Sequence, residues 1–276
     1  MKFLLGVLLV LNFHIPFSFS QDTTKYKDPK NIDVSIFRSI NNSRTNTLDK
    51  IVFVTDKSIL PVSILTPAVL FTVSRINKDY YDENSAVLNM LSEATSTIVS
   101  FGLKIIVKRP RPYTVLKNVM LRKGDLTFAD PYSFPSGHSA TAFSFATSLT
   151  LRYPDKPVLI SGLYAYALAV SLGRIYLGVH YPSDVLSGML IGTGSAILIF
   201  SLRKEIISGK NSLFNEPGQE DKNSSSKFTA FALTTFIAAD ALNYLIHKIN
   251  IPVIKKSGFE TNNFGNRCNL KFCYNF

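Results

Sequence analysis

Lys104, Arg111 and Arg174 offer three fixed cations, Ser136-Gly137 a hydroxyl on a turn, and His138 and His180 two imidazoles, with Asp184 four residues past the second. Binding a phosphate and moving it onto a histidine calls for these residue types. Lysine holds an anion as a point charge, arginine as a planar fork, and a neutral imidazole can attack phosphorus. Of the four histidines in the chain, only His14 and His247 fall outside these clusters.

Spacing adds local geometry. Lys104 and Lys108 are four apart and share a helix face; Pro110 and Pro112 then stop that helix, which leaves Arg111 on an extended turn. Taken alone, this pattern also suits a basic stop at a membrane border. In Phe134-Pro135-Ser136-Gly137-His138, Ser136 is a natural N-cap, and the following N–H groups point out of the helix start, where anions bind. Glycine at 137 lets a ligand approach the backbone, although an ordinary capped helix with an incidental histidine fits the same residues. Pro182 suits the first position of another helix, which places Asp184 in its first turn and His180 just before it. A carboxylate there can accept a proton from one imidazole nitrogen and leave the other free; a purely structural His–Asp pair is the alternative.

These clusters need elements to hold them. Six apolar segments follow a polar stretch: Ile59–Ile76, Ala86–Val107, Ser139–Leu151, Val158–Leu172, Val185–Leu202 and Phe228–Ile246. The fifth is apolar nearly all round and rich in small residues, unlike a surface helix of a soluble bundle. The expectation is an all-α bundle of about six core helices crossing a membrane, against a soluble or peripheral periplasmic helical domain. Lys2 followed by the apolar run Phe3–Phe13 and the small residues of Ser18-Phe19-Ser20 reads as an export signal over 1–20, or as an N-terminal anchor. With residue 21 exported, the alternating segments bring all four clusters to the exported face. The loops 77–85, 152–157 and 203–227 then lie inside, in loose agreement with the positive-inside bias.

The division that follows is 21–57 as a polar exported segment, 58–203 as the catalytic core, 204–227 as a flexible linker, 228–249 as the sixth core helix and 250–276 as a tail. Cys268 and Cys273, both in that tail, permit a disulfide in an exported chain. Net charge is +11, yet only 18% of residues are charged and 46% are hydrophobic, with no long basic run. Attraction to anionic lipid heads accounts for this better than nucleic-acid binding, which is not expected.

Together, Lys104…Arg111-Pro112, Pro135-Ser136-Gly137-His138 and Arg174…His180…Asp184 resemble the type 2 phosphatidic acid phosphatase family, which includes bacterial non-specific acid phosphatases and vanadium haloperoxidases. The resemblance covers about residues 59–202, with Gly173 where the family usually has serine. It implies a metal-free, cofactor-free hydrolase of phosphomonoesters or pyrophosphates. His180 would attack phosphorus, oriented by Asp184, and His138 would protonate the leaving oxygen. Lys104, Arg111, Arg174, Ser136 and Gly137 would hold the phosphoryl oxygens. The substrate would be a phosphorylated lipid if the chain spans a bilayer and a small phosphomonoester if it is a soluble periplasmic phosphatase. A vanadate-dependent haloperoxidase, a metal face built from His138, His180 and Asp184, and a non-enzymatic binding protein are the remaining alternatives.

Overall fold

The computed structural model describes residues 31–121, 130–216 and 221, together with the backbone of 257–264 and 267–274. The signal or anchor expected at 1–20 and the sixth helix expected at 228–249 lie outside the described residues. The described helices are α1 (Ile32–Asn41), α2 (Asn46–Asn77), α3 (Tyr80–Val107), α4 (Pro112–Val115), α5 (Gly137–Arg152), α6 (Pro157–Tyr176), α7 (Pro182–Ser201) and α8 (Arg203–Leu213). The fold is an all-α bundle, and the second to fifth expected apolar segments appear as α3, α5, α6 and α7.

Helix starts follow the sequence. Asn31 Oδ1 caps α1 through the Val34 N–H at 2.8 Å, and Thr45 caps α2 through Leu48 at 3.2 Å. Proline opens α6 and α7, where a missing N–H costs nothing. Lys108 ends α3 in the left-handed conformation, its N–H returning to the Lys104 carbonyl.

The segment 21–57, expected as a polar exported stretch, holds α1 and the first three turns of α2. Buried Asn41 of α1 donates to the Tyr176 and Met120 carbonyls at 2.8 and 3.0 Å and accepts from the Met120 N–H at 2.9 Å, so α1 braces the loops around the site. The linker expected from 204 begins as helix α8. Its Lys210 is 6% exposed and bonded to Glu83 at 2.7 Å, a long-range ion pair that polar composition alone does not reveal.

Burial is inverted relative to a water-soluble bundle. Leu60, Ile64, Ile98, Phe101, Ile106 and Leu190 are exposed, while Ser63, Asn89, Ser92, Glu93, Ser96 and Ser100 are buried. Among the described residues, four helices, α2, α3, α6 and α7, are long and apolar enough to cross a membrane. The 16-residue α5 is shorter than a full span and sits among them, its Ala142, Phe145, Ala146 and Leu149 forming the centre of the main core. It packs most extensively on α7. A side chain at Gly192 would collide with the Ala140 carbonyl, and one at Gly188 with the Ser136 carbonyl. Glycines four apart thus let the two backbones approach, as in tightly packed membrane helices.

A separate unit holds the hairpin β1 (Ser257–Phe264) and β2 (Arg267–Tyr274), which pair antiparallel. Cys268 and Cys273 both lie on β2, opposite Asn263 and Gly258. Five steps of extended backbone separate them by about 16 Å, beyond the reach of a disulfide. The expected bridge does not fit this hairpin.

Candidate active site

Four segments meet at one end of the bundle: the end of α3 with residues 108–111, the loop 130–136 entering α5, the end of α6, and the loop 177–181 entering α7. Backbone bonds knit them together. The Ser133 N–H donates to the Arg109 carbonyl at 2.7 Å, and the Ser136 N–H donates to the Asp184 carbonyl at 3.0 Å. The second bond joins the Ser-Gly-His turn to the His180–Asp184 turn, two motifs that sequence could only list side by side. Gly178, at φ 81°, makes the sharp turn before His180 that a side chain there would obstruct.

His180 is 2% exposed. Its Nδ1 lies 2.7 Å from the Ser133 carbonyl oxygen and its Nε2 lies 3.2 Å from Arg111 NH1. A carbonyl only accepts, so the ring proton belongs on Nδ1. A guanidinium only donates, so Nε2 presents its lone pair. Burial, reinforced by Arg111, Arg174 and Lys104, holds this imidazole well below the usual histidine range and keeps it neutral.

Asp184 departs from the expected arrangement. Its Oδ2 is 3.8 Å from His180 Nδ1, beyond hydrogen-bond range, and accepts instead from the Tyr181 N–H at 2.8 Å. Its Oδ1 accepts from Arg109 at 2.7 Å. The group touching His180 Nδ1 is the Ser133 carbonyl, and Asp184 acts on the turn that carries the histidine. Arg109 also bonds Asp33 at 2.6 Å and Ser183 at 2.7 Å, so α1 is tied to the start of α7.

The three expected cations are all present, and each has a carboxylate. Lys104 Nζ bonds Asp130 Oδ1 at 3.2 Å and the Tyr132 carbonyl at 2.9 Å. Arg111 bonds Asp130 Oδ2 at 3.0 Å, and Arg174 pairs with Asp56, which also sits 3.8 Å from His138 Nε2. Burial pushes the Arg111 guanidinium below its ordinary value. Ser136 caps α5 by accepting from the Ser139 N–H and hydroxyl, at 3.4 and 2.9 Å. A side chain at Gly137 would meet nothing within 4 Å, so packing does not demand glycine there. Gly173 is different. A side chain would meet Val52 at 3.2 Å, so α2 crowds the place where the family usually has serine.

The alternative metal face is not assembled, since His180 Nδ1 is engaged by Ser133 and Asp184 by Arg109 and Tyr181. Sequence reasoning missed Asp56, Ser133 and the role of Arg109, and it placed Asp130 only at the end of a loop stretch, 123–130, expected to help select head groups. Asp56 lies 118 residues from Arg174, a separation no local motif reports. Arg109 follows Lys108 directly in sequence, and only its partners Asp33, Ser183 and Asp184 were out of sight.

Cations converging on a neutral, oriented histidine inside an apolar-faced helical bundle define a membrane protein that hydrolyses phosphoric monoesters. The PAP2 superfamily profile matches residues 86–208. The crystal structure of Aquifex aeolicus LpxE is 31% identical, with a TM-score of 0.50, covering 62% of this chain and 96% of that one. An undecaprenyl-diphosphatase of Sulfolobus acidocaldarius is 29% identical over 60% of this chain and 76% of its own length. A lipid A 1-phosphatase of Rhizobium johnstonii is 38% identical over 24% of this chain, which spans 26% of that protein. The chain belongs to the PAP2 superfamily.

Proposed function

We propose that this protein hydrolyses the phosphomonoester or pyrophosphate of a membrane lipid, on the exported face, through a phosphohistidine at His180. The observation that carries this reading is the His180 tautomer, with Nδ1–H on the Ser133 carbonyl and the Nε2 lone pair beside Arg111. Nε2 attacks phosphorus while the bond to the leaving oxygen breaks, and His138 supplies that oxygen with a proton. Water then attacks the phosphohistidine, gives a proton back to His138 and releases phosphate from Nε2. Lys104, Arg111 and Arg174, with the N–H groups opening α5, stabilise charge on the transferring group. The open space at Gly137 suits a phosphoryl oxygen approaching that backbone.

A lipid substrate is supported by the apolar outer faces of the bundle, and by relatives that act on undecaprenyl diphosphate and lipid A according to their names. The exported face rests on the apolar run at Phe3–Phe13 and on the alternating directions of the helices. Phosphate release from phosphatidate, phosphatidylglycerol phosphate, a polyprenyl pyrophosphate and lipid A, set against p-nitrophenyl phosphate, tests the substrate class. Lipids should be preferred, whereas preference for p-nitrophenyl phosphate points to a general acid phosphatase. Right-side-out vesicles should hydrolyse added lipid without permeabilisation; activity confined to inverted vesicles reverses the assigned face.

A further inference from the structure

The carboxylates on the phosphate-binding cations differ in one respect. Asp56, paired with Arg174, has a side chain 9% exposed, and Arg174 itself is 10% exposed, so that pair is enclosed. The Asp130 side chain is 45% exposed, while its partners Lys104 and Arg111 are 10% and 3% exposed. Asp130 therefore lies between two buried cations and solvent. It engages them as a small anion does, with Oδ1 on Lys104 Nζ at 3.2 Å and Oδ2 on Arg111 at 3.0 Å. The Tyr132 N–H donates to Oδ1 at 3.0 Å, and Arg111 Nε donates to the Asp130 carbonyl at 2.7 Å. Two oxygens on one carbon thus bridge two cations, as two oxygens on one phosphorus can.

We propose that Asp130 is a tethered competitor for the phosphoryl subsite, and that the competition selects dianionic phosphomonoesters over monoanionic phosphodiesters. The proposal rests on the reading of Lys104 and Arg111 as phosphoryl-binding groups. A bilayer surface is crowded with phosphodiester headgroups, each a single negative charge. A buried cation pair without a counter-charge would collect them. A tethered carboxylate, present at high effective concentration, cancels most of what a monoanion could gain. A terminal phosphoryl group carries more charge and more acceptor oxygens, so it displaces Asp130 where a phosphodiester does not. Specificity then comes from a repulsive element as well as an attractive one.

Full-length protein in non-ionic detergent micelles, titrated calorimetrically with inorganic phosphate, tests this directly. Asp130→Asn should bind phosphate roughly tenfold more tightly, the scale of one charged hydrogen bond exchanged. Phosphatidylglycerol added to the micelles should displace phosphate from Asp130→Asn and leave the parent protein unaffected. Phosphate binding that is unchanged or weaker in Asp130→Asn overturns the proposal, as does equal sensitivity of both proteins to phosphatidylglycerol. Asp130→Ser repeats the measurement if the asparagine variant fails to fold. Lys104→Ala and Arg111→Ala address the underlying reading separately. Phosphate affinity unaltered by either would mean that the phosphoryl site is misassigned, whatever Asp130 does.

Discussion

Helix α3 carries buried charge at both ends, and the two ends are finished differently. At its start Glu83 is fully buried and accepts from Lys210 at 2.7 Å and Arg75 at 2.9 Å. Arg75 continues to Glu216, and Arg152 grips Asp221 with two bonds at 2.6 and 2.7 Å. Asp82 accepts from the Tyr153 hydroxyl at 2.7 Å. These groups hold α2, α3, α5 and α8 together through one another. About 30 Å along the helix axis, the other end has Lys104, with the same ingredients arranged for exchange. There a half-exposed aspartate covers the cations, two histidines lie beside them and a helix start opens nearby. Buried charge alone does not mark a site. What marks it is cations aimed at a shared point beside an imidazole nitrogen whose lone pair meets only the Arg111 guanidinium.

The comparison breaks first at His180. His180→Ala should lower turnover by about 10⁴-fold or more, as removal of a catalytic nucleophile does, beyond the lower melting temperature that emptying a buried, hydrogen-bonded position brings. Substantial residual phosphate release would make the two ends equivalent. His138→Ala should cost about 10²–10⁴-fold. That loss should shrink for p-nitrophenyl phosphate, whose leaving oxygen needs little help from an acid; an equal loss on every substrate removes His138 from that role. Opposite behaviour is expected at the start of α3. Glu83→Gln leaves Lys210 and Arg75 facing a neutral group and should destabilise the fold by about 3–5 kcal/mol. Thermal unfolding in detergent should register this while kcat holds.

Much of the active end was legible because its residues come in short motifs. Lys104 with Arg111, Ser136 with His138, and His180 with Asp184 are each separated by less than three helical turns, so local rules placed them at helix ends. Ser136 and Pro182 set the starts of α5 and α7 within a residue or two, and the apolar run from Val158 set that of α6. The aspartates that pair with the cations were not legible, since Asp56 and Asp130 reach their partners across other elements. The structural end was almost wholly hidden. Glu83 and Lys210 are 127 residues apart, and a polar stretch such as 203–213 reads as linker unless its lysine is known to be buried. Asp184 illustrates a subtler limit. Its spacing correctly put it beside His180, yet a carbonyl, which every residue carries and no sequence displays, took the hydrogen bond.

The smallest expected effect separates the two ends most cleanly, because it depends on distance from His180 and not on folding. An exposed histidine takes its proton near pH 6.5 and loses its lone pair. Burial and the Arg111, Arg174 and Lys104 cations hold His180 well below that value in the folded protein. Between the two values the unfolded chain binds a proton that the folded one refuses. Stability from this group is therefore complete above about pH 6.5 and declines as pH falls below it. Activity should hold to lower pH than an exposed histidine would allow, with the acid limb of kcat/KM lying below pH 6.5. Lys104→Met removes one repelling cation, so the limb should move upward toward the ordinary value even as overall activity drops. Lys210→Met removes a cation of equal charge at the far end and should lower the melting temperature without moving the limb. If both substitutions shift the profile alike, the electrostatics are global, and the exchangeable end owes its reactivity to net charge, not to the convergence of groups on one nitrogen.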